Sequence, residues 1–363
     1  MILLLIKIMN AEWPLCYSPA SMKLQRLGSI ALFVLLTAMI ACSGSLSSTV
    51  PSPWTTDNSP LTSPGPLTNA PEPLNTPTYD GSGQTVEPTV LYFPESWRGF
   101  AYWMIVSPYP FYDNDTFENP SILVSPNGQD WTVPSGLTNP IALPTDGVFA
   151  DASGVFDDES KQLFVYFLND VPSPVYEESL LRVTSSDGIH WSAPRILISG
   201  QGTFVNSPSV TKVNNTFQLW SVDTNIGCGT QNSTVNQRTS LDGVNWSAPQ
   251  PLNISQPGYV IWHLNVIAVP SKGQYMSLLA AYPLGSYCGK TVLFFANSHD
   301  GINWQTYPQP VMRVGAGWDS GEIYRSSLLY DPDTALLRVW YSASDDVSGI
   351  WHVGYSQENF PVQ

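Results

Sequence analysis

Five strand-like segments of the chain each begin with a residue whose side chain can take part in polar chemistry. These first residues are Glu87, Asp151, Ser207, His263 and Arg325. Together they supply two carboxyl groups, a hydroxyl, an imidazole and a guanidinium. Carboxyl and imidazole groups transfer protons, and a guanidinium can keep a neighbouring carboxyl ionised. The set therefore indicates acid–base chemistry or a polar binding site, provided that the fold brings the segments together.

The spacing of these segments predicts how they are arranged. They recur after 64, 56, 56 and 62 residues, and each is followed by a polar or Pro-containing turn and an aromatic-rich second strand. Four units also carry a turn of the type Ser-x-Asp/Asn-Gly-x-x-Trp, whose tryptophans are 60, 55 and 58 residues apart. Such a period is typical of a propeller blade. The sequence thus predicts an all-β fold, a five-bladed β-propeller with four-stranded blades over residues 85–363.

The repeated turn is predicted to be structural. Asp-Gly and Asn-Gly tolerate positive φ in tight hairpins, and Ser and Asp side chains can accept hydrogen bonds from turn amides. These turns join the third and fourth strands, on the face opposite the start of the inner strands. We expect their tryptophans to pack between neighbouring blades. Residues 75–84 are expected to complete the short fifth blade and close the ring.

The first 41 residues are predicted to be an export signal. Lys23 and Arg26 precede an apolar run of residues 27–40, which ends next to Cys42. The pattern resembles the bacterial lipoprotein signal, which implies that Cys42 is lipidated and anchors the protein to the outer side of a membrane. An ordinary signal peptide with an incidental cysteine is the alternative. Met22 is an alternative start of the natural chain.

Residues 42–84 are rich in Ser, Thr and Pro. A segment with so few large apolar residues cannot bury enough surface to fold alone, so we expect a semi-extended tether. The whole chain carries 14 basic and 29 acidic residues, a net charge of −15. Such a surface repels phosphate backbones, which argues against nucleic acid as a partner. Carbohydrate or another small neutral ligand is the expected partner, besides the membrane that the lipid anchor would engage.

The repeats resemble those of the five-bladed propeller glycoside hydrolases, the arabinanase, levansucrase and invertase group, over residues 85–363. The resemblance implies that the five first residues converge on a central funnel, with Asp151 as base or nucleophile and Glu87 or Glu322 as acid. The chain departs from the family at Ser207 and His263, where an acid is usual. The Asn-Asp-Pro and Arg-Asp-Pro motifs of invertases do not occur. The alternative is an ion-paired plug or binding site, in which Arg325 neutralises the acids.

Further residues are expected on the funnel face. The loop of residues 107–120 contributes aromatic and acidic side chains, namely Tyr109, Tyr112 and Glu118. Three aromatic residues adjoin the first residues and are candidate sugar platforms, namely Trp262, Trp318 and Tyr324. Aromatic rings can stack on sugars, although packing between blades is an equally good interpretation.

The cysteines predict one disulfide. Cys228 and Cys288 occupy corresponding second-to-third-strand loops of adjacent blades, and an oxidising exterior favours their pairing. No Cys or His cluster has zinc spacing, so no metal site is predicted. No cofactor is required, although calcium is possible near Asp151 and His263.

Three functions follow, in order of preference. The first is a surface-anchored glycoside hydrolase that acts on extracellular carbohydrate, and the second is a noncatalytic lipoprotein that binds carbohydrate or another ligand. The third is a sialidase-like enzyme. That class needs three arginines around the substrate carboxylate, whereas only Arg325 is predicted at the funnel.

Overall fold

The computed structural model describes residues 60–110, 114–171, 177–200, 204–224 and 227–360. These residues form five antiparallel sheets arranged as a five-bladed β-propeller, which confirms the predicted fold class. Their helical segments are two short 3-10 turns, Asp115–Phe117 and Pro270–Lys272. Within the same ranges, no helix has the length and apolar character needed to span a membrane.

The strands follow one another blade by blade. Blade 1 contains β1 (Thr85–Trp97), β2 (Phe100–Pro108) and β3 (Ser121–Ser125). Blade 2 contains β4 (Val148–Asp157), β5 (Gln162–Val171), β6 (Glu177–Ser185) and β7 (Arg195–Ile198). Blade 3 contains β8 (Asn206–Val213), β9 (Thr216–Asp223), β10 (Thr234–Ser240) and β11 (Gln250–Pro251). Blade 4 contains β12 (Tyr259–Val269), β13 (Gln274–Pro283), β14 (Val292–Ser298) and β15 (Gln305–Thr306). Blade 5 contains β16 (Glu322–Asp331), β17 (Leu336–Ser344) and β18 (Trp351–Asn359).

Blades 1 and 5 each have three named strands rather than four. In blade 1, an isolated bridge between Val124 and Thr132 takes the place of the fourth strand. At the outer edge of blade 5, the Leu74 N–H donates to the Val353 carbonyl over 2.8 Å. The chain upstream of the first blade therefore covers this edge, one residue before the range 75–84 that the sequence predicts.

Residues 60–84, which we call the N-terminal strap, lie against blades 4 and 5. Leu67 is buried, and its N–H donates to the Val311 carbonyl over 2.7 Å. The Trp318 indole N–H donates to the Ala70 carbonyl over 3.0 Å. The tether predicted for residues 42–84 is therefore folded onto the propeller from residue 60 onward. The sequence prediction was based on the average composition of this segment, which does not reveal that a single apolar residue such as Leu67 is buried against the propeller. Residues 1–59, including the export signal and Cys42, lie outside the described residues.

The Ser-x-Asp-Gly turns are structural, as predicted. In blade 2, the Ser185 hydroxyl accepts a hydrogen bond from the Gly188 N–H at 2.8 Å. The Asp187 carboxylate accepts hydrogen bonds from the N–H groups of Ile189 and His190, both at 2.8 Å. The turn amides are thus satisfied by the motif itself.

Each of these turns also packs against an aromatic residue of the preceding blade, an arrangement that we call the aromatic–glycine latch. Three turn carbonyls accept a hydrogen bond from that residue, namely Gly243 from Tyr166 at 3.0 Å, Gly301 from Trp220 at 3.0 Å and Gly128 from Trp340 at 2.6 Å. In blade 2, Gly188 lies against the Trp103 ring. The turn tryptophans join the apolar clusters between blades, as predicted, and these are Trp131, Trp191, Trp246 and Trp304.

The latch predicts a specific sensitivity to a single methyl group. Gly188 has φ +78°, and a Cβ there would lie 2.2 Å from the Trp103 ring. Gly99 has a similar φ of +90° but open space around it. We expect Gly99→Ala to lower the free energy of unfolding by about 1 kcal/mol, the usual cost of a left-handed residue. Gly188→Ala should lower it by about 3 kcal/mol, because overpacking adds to that cost. Equal losses in denaturant titrations would show that the latch contributes nothing.

Candidate functional site

A β-bulge interrupts every inner strand at the predicted site. The strand register shifts between Val86 and Thr89 in β1, and at the corresponding points of β4, β8, β12 and β16. Glu87, Asp151 and Ser207 have φ values of 59°, 56° and 55°. This left-handed conformation is costly for residues with a Cβ and is concentrated at functional sites. Bulges redirect side chains, and here the redirected side chains meet at the propeller axis.

The five first residues do come together, and we call them the axial ring. The Asp151 N–H donates to Glu87 Oε2 at 3.0 Å, and the Ser207 N–H donates to Asp151 Oδ2 at 2.6 Å. Arg325 Nη1 lies 3.4 Å from Asp151 Oδ1 and 3.9 Å from Glu87 Oε2. His263 Nδ1 lies 3.3 Å from Asp151 Oδ1 and 4.0 Å from Glu87 Oε1. All five residues are at most 3% exposed.

A third carboxyl group adjoins the axial ring. Glu118, from the loop between β2 and β3, is buried and lies in hydrogen-bonding contact with Glu87. Burial, reinforced by the Asp151 and Glu118 charges, raises the pKa of Glu87 well above its ordinary value. Burial, reinforced by Asp151, also raises the pKa of Glu118 well above its ordinary value. The two glutamates therefore keep protons to a higher pH than free carboxyl groups do.

Asp151 and His263 behave differently. Burial on its own would raise the pKa of Asp151, but His263 and Arg325 together hold it well below its ordinary value. Burial lowers the pKa of His263, although Asp151 opposes the shift. Asp151 is therefore ionised at neutral pH beside Arg325 and His263, and the protonation of His263 is linked to the charge of Asp151.

Part of the axial ring has the donor set of a metal site. One oxygen of Glu87, one oxygen of Asp151 and one ring nitrogen of His263 lie within 4.8 Å of one another. His263 Nδ1 is buried and faces the two carboxyl groups, at 3.3 Å from Asp151 Oδ1 and 4.0 Å from Glu87 Oε1. A neutral imidazole nitrogen with two carboxylate oxygens is a donor set that suits a divalent cation such as Zn²⁺ or Mn²⁺. These residues therefore have the arrangement and chemistry to bind a cation. The sequence predicted no metal site because the three residues come from different blades and show no zinc-type spacing along the chain.

Aromatic side chains line one side of the ring. The Tyr324 hydroxyl accepts a hydrogen bond from Trp262 Nε1 at 2.9 Å and is hydrogen-bonded to His263 Nε2. The Trp351 ring lies 5.4 Å from the Tyr324 ring and 6.4 Å from the Tyr109 ring, measured between centroids. Burial raises the pKa of Tyr324 well above its ordinary value, so this hydroxyl stays protonated.

Two of the predicted residues, Glu322 and Trp318, do not contribute to this arrangement. Glu322 is hydrogen-bonded to the Thr291 hydroxyl at 3.0 Å rather than to the ring, and burial raises its pKa to about 7. Trp318 stacks on Tyr341 with centroids 5.4 Å apart, and the strap carbonyl of Ala70 holds its indole, so it does not line the ring. Tyr112 lies outside the described residues.

The predicted disulfide between Cys228 and Cys288 is present, with the two Cα atoms 5.2 Å apart. It joins loops of blades 3 and 4 and packs with Trp262 and Tyr324 in one apolar cluster. The bond therefore braces the aromatic side of the site.

Sequence reasoning missed three residues around the ring. Ser342 Oγ accepts a hydrogen bond from the Glu87 N–H at 2.8 Å and donates to the Arg325 carbonyl at 2.9 Å. Tyr79, in the strap, donates to the Phe117 carbonyl at 2.9 Å and so holds the loop that carries Glu118. Trp351 begins a third strand, and third strands start on the funnel face. The place of Trp351 at the start of a third strand could therefore have identified it from the sequence, whereas no sequence pattern marks Ser342 or Tyr79.

The fold and the axial ring define the class of this chain. It is a five-bladed β-propeller with the glycoside hydrolase-like fold. The solved catalytic domain of the GH62 alpha-L-arabinofuranosidase of Coprinopsis cinerea superimposes with a TM-score of 0.58 at 16% identity, covering 82% of this chain and 98% of that one. A thermostable family-43 glycoside hydrolase gives a TM-score of 0.57 at 14% identity, covering 76% of this chain and 89% of that one. At these identities the likeness concerns the fold alone.

One relative is considerably more similar. The A type blood N-acetyl-alpha-D-galactosamine deacetylase of Flavonifractor plautii is 29% identical to this chain over an alignment that covers 76% of it. The chain spans 45% of that relative's length. The crystal structure of an N-acetylgalactosamine deacetylase from F. plautii, in complex with blood group B trisaccharide, superimposes with a TM-score of 0.75 at 25% identity. That match covers 81% of this chain and 96% of the crystallised one. No protein-family model matches the sequence.

The raised pKa of Glu118 predicts a stability difference that grows with pH. Above its ordinary pKa of 4.5 the unfolded chain releases this proton while the folded chain retains it, so Glu118 increasingly favours unfolding as pH rises. Glu118→Gln replaces the protonated form with a neutral group of the same shape. We expect the variant to match the wild type at about pH 4 and to be the more stable protein at about pH 8. Denaturant unfolding at both pH values measures this, with the exposed Glu95→Gln as control. A pH-independent difference for Glu118→Gln would contradict the assignment.

Proposed function

We propose that the chain is a carbohydrate-active hydrolase that removes the N-acetyl group of an amino sugar. The observation that carries the proposal is the buried set Glu87, Asp151 and His263, in which one imidazole nitrogen faces two carboxyl groups. Similarity to the F. plautii deacetylase supports the choice of an acetamido sugar as substrate. The aromatic side formed by Tyr109, Trp351 and Tyr324 would contact the sugar ring.

The residues of the ring have distinct roles in this proposal. Glu87, Asp151 and His263 would hold a divalent cation, which when bound lowers the pKa of water and polarises the acetyl carbonyl. The ionised state of Asp151 and the neutral imidazole of His263 are the forms that ligate a cation, and Glu87, whose pKa is raised by burial, would release its proton when the cation binds. Tyr324 holds His263 Nε2 and so fixes the orientation of the imidazole ring.

Amide hydrolysis also requires a proton for the leaving amine. Water adds to the acetyl carbon, the C–N bond breaks, and the sugar nitrogen must be protonated before it departs. Glu118 retains its proton above the ordinary carboxyl range and adjoins the ring without belonging to the cation-binding set. We assign this proton transfer to Glu118.

Glycoside hydrolysis, the function preferred from the sequence, finds less support in the geometry. The two carboxyl groups of a glycosidase flank the scissile bond at about 5–10 Å from each other. Here the nearest oxygens of Glu87 and Asp151 are within 4.8 Å, and Arg325 Nη1 lies within 3.9 Å of both groups. This close, ion-paired arrangement leaves no room for a sugar between the two acids.

The ion pairs favour a noncatalytic carbohydrate-binding protein as the second candidate. Arg325 and the acids would then form a buried structural network beneath a binding surface, because buried ion networks perturb pKa values without chemistry. The two candidates differ in whether acetate is released from a bound sugar.

The test is acetate release from an oligosaccharide that ends in N-acetylgalactosamine. We expect turnover by the wild type, and a loss of at least about 100-fold in kcat for Asp151→Asn and for His263→Ala. Removal of divalent metal by a chelator should abolish activity, and addition of metal should restore it. Asp130→Asn is the control, because Asp130 is an exposed carboxylate of a structural turn. Unfolding curves establish that each variant is folded.

The products distinguish the candidates. Free sugar without acetate would replace deacetylation with glycoside hydrolysis. Saturable binding with neither product would establish the binding protein. Acetate release by Asp151→Asn at the rate of Asp130→Asn would exclude the axial ring as the catalytic site.

We further propose that the protein is a lipoprotein displayed on the outer side of a membrane through Cys42. The support is the basic and apolar segment that ends at this cysteine. Cys42→Ser should move the protein from the membrane fraction to the soluble fraction of cells that express the full chain. Retention at the membrane would require a different anchor.

A further inference from the structure

The carboxyl group to which we assign proton transfer is carried by a loop, unlike the residues of the axial ring. Glu118 directly follows the 3-10 turn Asp115–Phe117, whereas every residue of the ring belongs to an inner strand. A strand fixes a side chain more precisely than a loop does, and a misplacement of about 1 Å can lower a reaction rate about 100-fold. A proton donor in this loop therefore needs support from another part of the chain.

The hydroxyl group of Tyr79 contacts both neighbours of Glu118. It donates to the Phe117 carbonyl at 2.9 Å and accepts a hydrogen bond from Asn119 Nδ2, also at 2.9 Å. The rings of Tyr79 and Phe117 stack with their centroids 6.3 Å apart. Asn119 is 3% exposed, so its bond to Tyr79 is partly shielded from water and strengthened by the low local dielectric. Tyr79 therefore holds the loop on either side of Glu118.

Tyr79 is itself fixed, because the N-terminal strap bends sharply at residues 76–85. At the base of this bend, Thr76 Oγ1 lies 2.8 Å from Oγ1 of Thr85, the first residue of β1. Both threonines are at most 1% exposed, so the bond between them is well protected from water. Since β1 also carries Glu87, the bend that presents Tyr79 is attached directly to a strand of the axial ring.

We infer that Tyr79 is a positioning residue, which holds Glu118 beside the axial ring and makes the N-terminal strap a component of the active site. The inference rests on the proposed deacetylation, in which Glu118 delivers a proton to the leaving nitrogen. In this role Tyr79 transfers no proton and acts only through the place of the Glu118 carboxyl group. A tyrosine that merely stabilised the fold would act independently of Glu118.

The first test is a double-mutant cycle between Tyr79→Phe, which removes the hydroxyl and keeps the ring, and Glu118→Gln. Acetate release from the oligosaccharide that ends in N-acetylgalactosamine is measured for both single variants and for the double variant. We expect Tyr79→Phe alone to lower kcat about tenfold, with KM within about twofold of the wild-type value. In the Glu118→Gln background the same change should alter kcat by less than about twofold, because the proton donor is already absent.

Tyr307→Phe is the matched control. Tyr307 directly follows β15, the outermost strand of blade 4, and its hydroxyl donates a partly buried hydrogen bond to Asn297 Oδ1 at 3.0 Å. This variant also loses one tyrosine hydroxyl, but at a place that has no contact with the Glu118 loop. We expect wild-type kcat and KM, and unfolding curves establish that both tyrosine variants are folded.

Hydrogen exchange measured by mass spectrometry tests the hold on the loop without any activity. In Tyr79→Phe we expect the amides of residues 115–119 to exchange about fivefold faster, the usual effect of one lost neutral hydrogen bond. In Tyr307→Phe their exchange should equal that of the wild type. If the wild type releases no acetate, the proposed deacetylation fails, and exchange alone decides whether Tyr79 holds Glu118.

Three results would overturn the inference. The first is unaltered exchange of residues 115–119 in Tyr79→Phe. The second is a loss of kcat in the Glu118→Gln background as large as in the wild type, since Tyr79 would then act independently of Glu118. The third is an equal loss of kcat in Tyr307→Phe, which would show a general effect of removing a hydroxyl.

Discussion

The contact between each turn glycine and an aromatic residue of the preceding blade is the constraint on which this molecule depends. Glycine is required at Gly188 both because φ is positive and because Trp103 occupies the space of a Cβ. At the corresponding turns of blades 4 and 1, the glycine carbonyl accepts a hydrogen bond from Trp220 and from Trp340, respectively. Blades must pack sideways at a fixed angle to close a propeller. The latch repeats one such contact around the molecule, and closure then brings distant strand starts within 4 Å of one another.

Closure also accounts for the strained backbone of the site. The bulges at Glu87, Asp151 and Ser207 release N–H groups from the strand ladders. Each of these N–H groups donates to a side chain of the preceding blade, in the order Ser342, Glu87 and Asp151. The hydrogen bonds that offset the left-handed conformation are therefore the same bonds that position the carboxyl groups. Structure and chemistry cannot be separated at this end of the channel.

Burial determines the protonation states of the groups in and beside the axial ring. Around the ring, burial of several ionisable groups separates their pKa values, so that Asp151 is ionised while Glu118 retains a proton. Such a separation is what acid–base and metal-assisted hydrolysis require.

The sequence by itself determined the architecture, because that information is local and repeated. The turn motif, the aromatic second strands and the 55–64-residue period predicted five blades, and the strand starts identified the five ring residues. Tertiary structure alone decided what these residues can do. Whether Glu87 and Asp151 flank a substrate or pair with Arg325 depends on distances across the axis, which no local pattern encodes. Contacts between remote segments likewise placed Glu118, which the sequence predicts only on the funnel face, beside Glu87, and they turned Trp318 and Glu322 away from the axial ring. Burial, which sets the pKa values, exists only once the ring has closed.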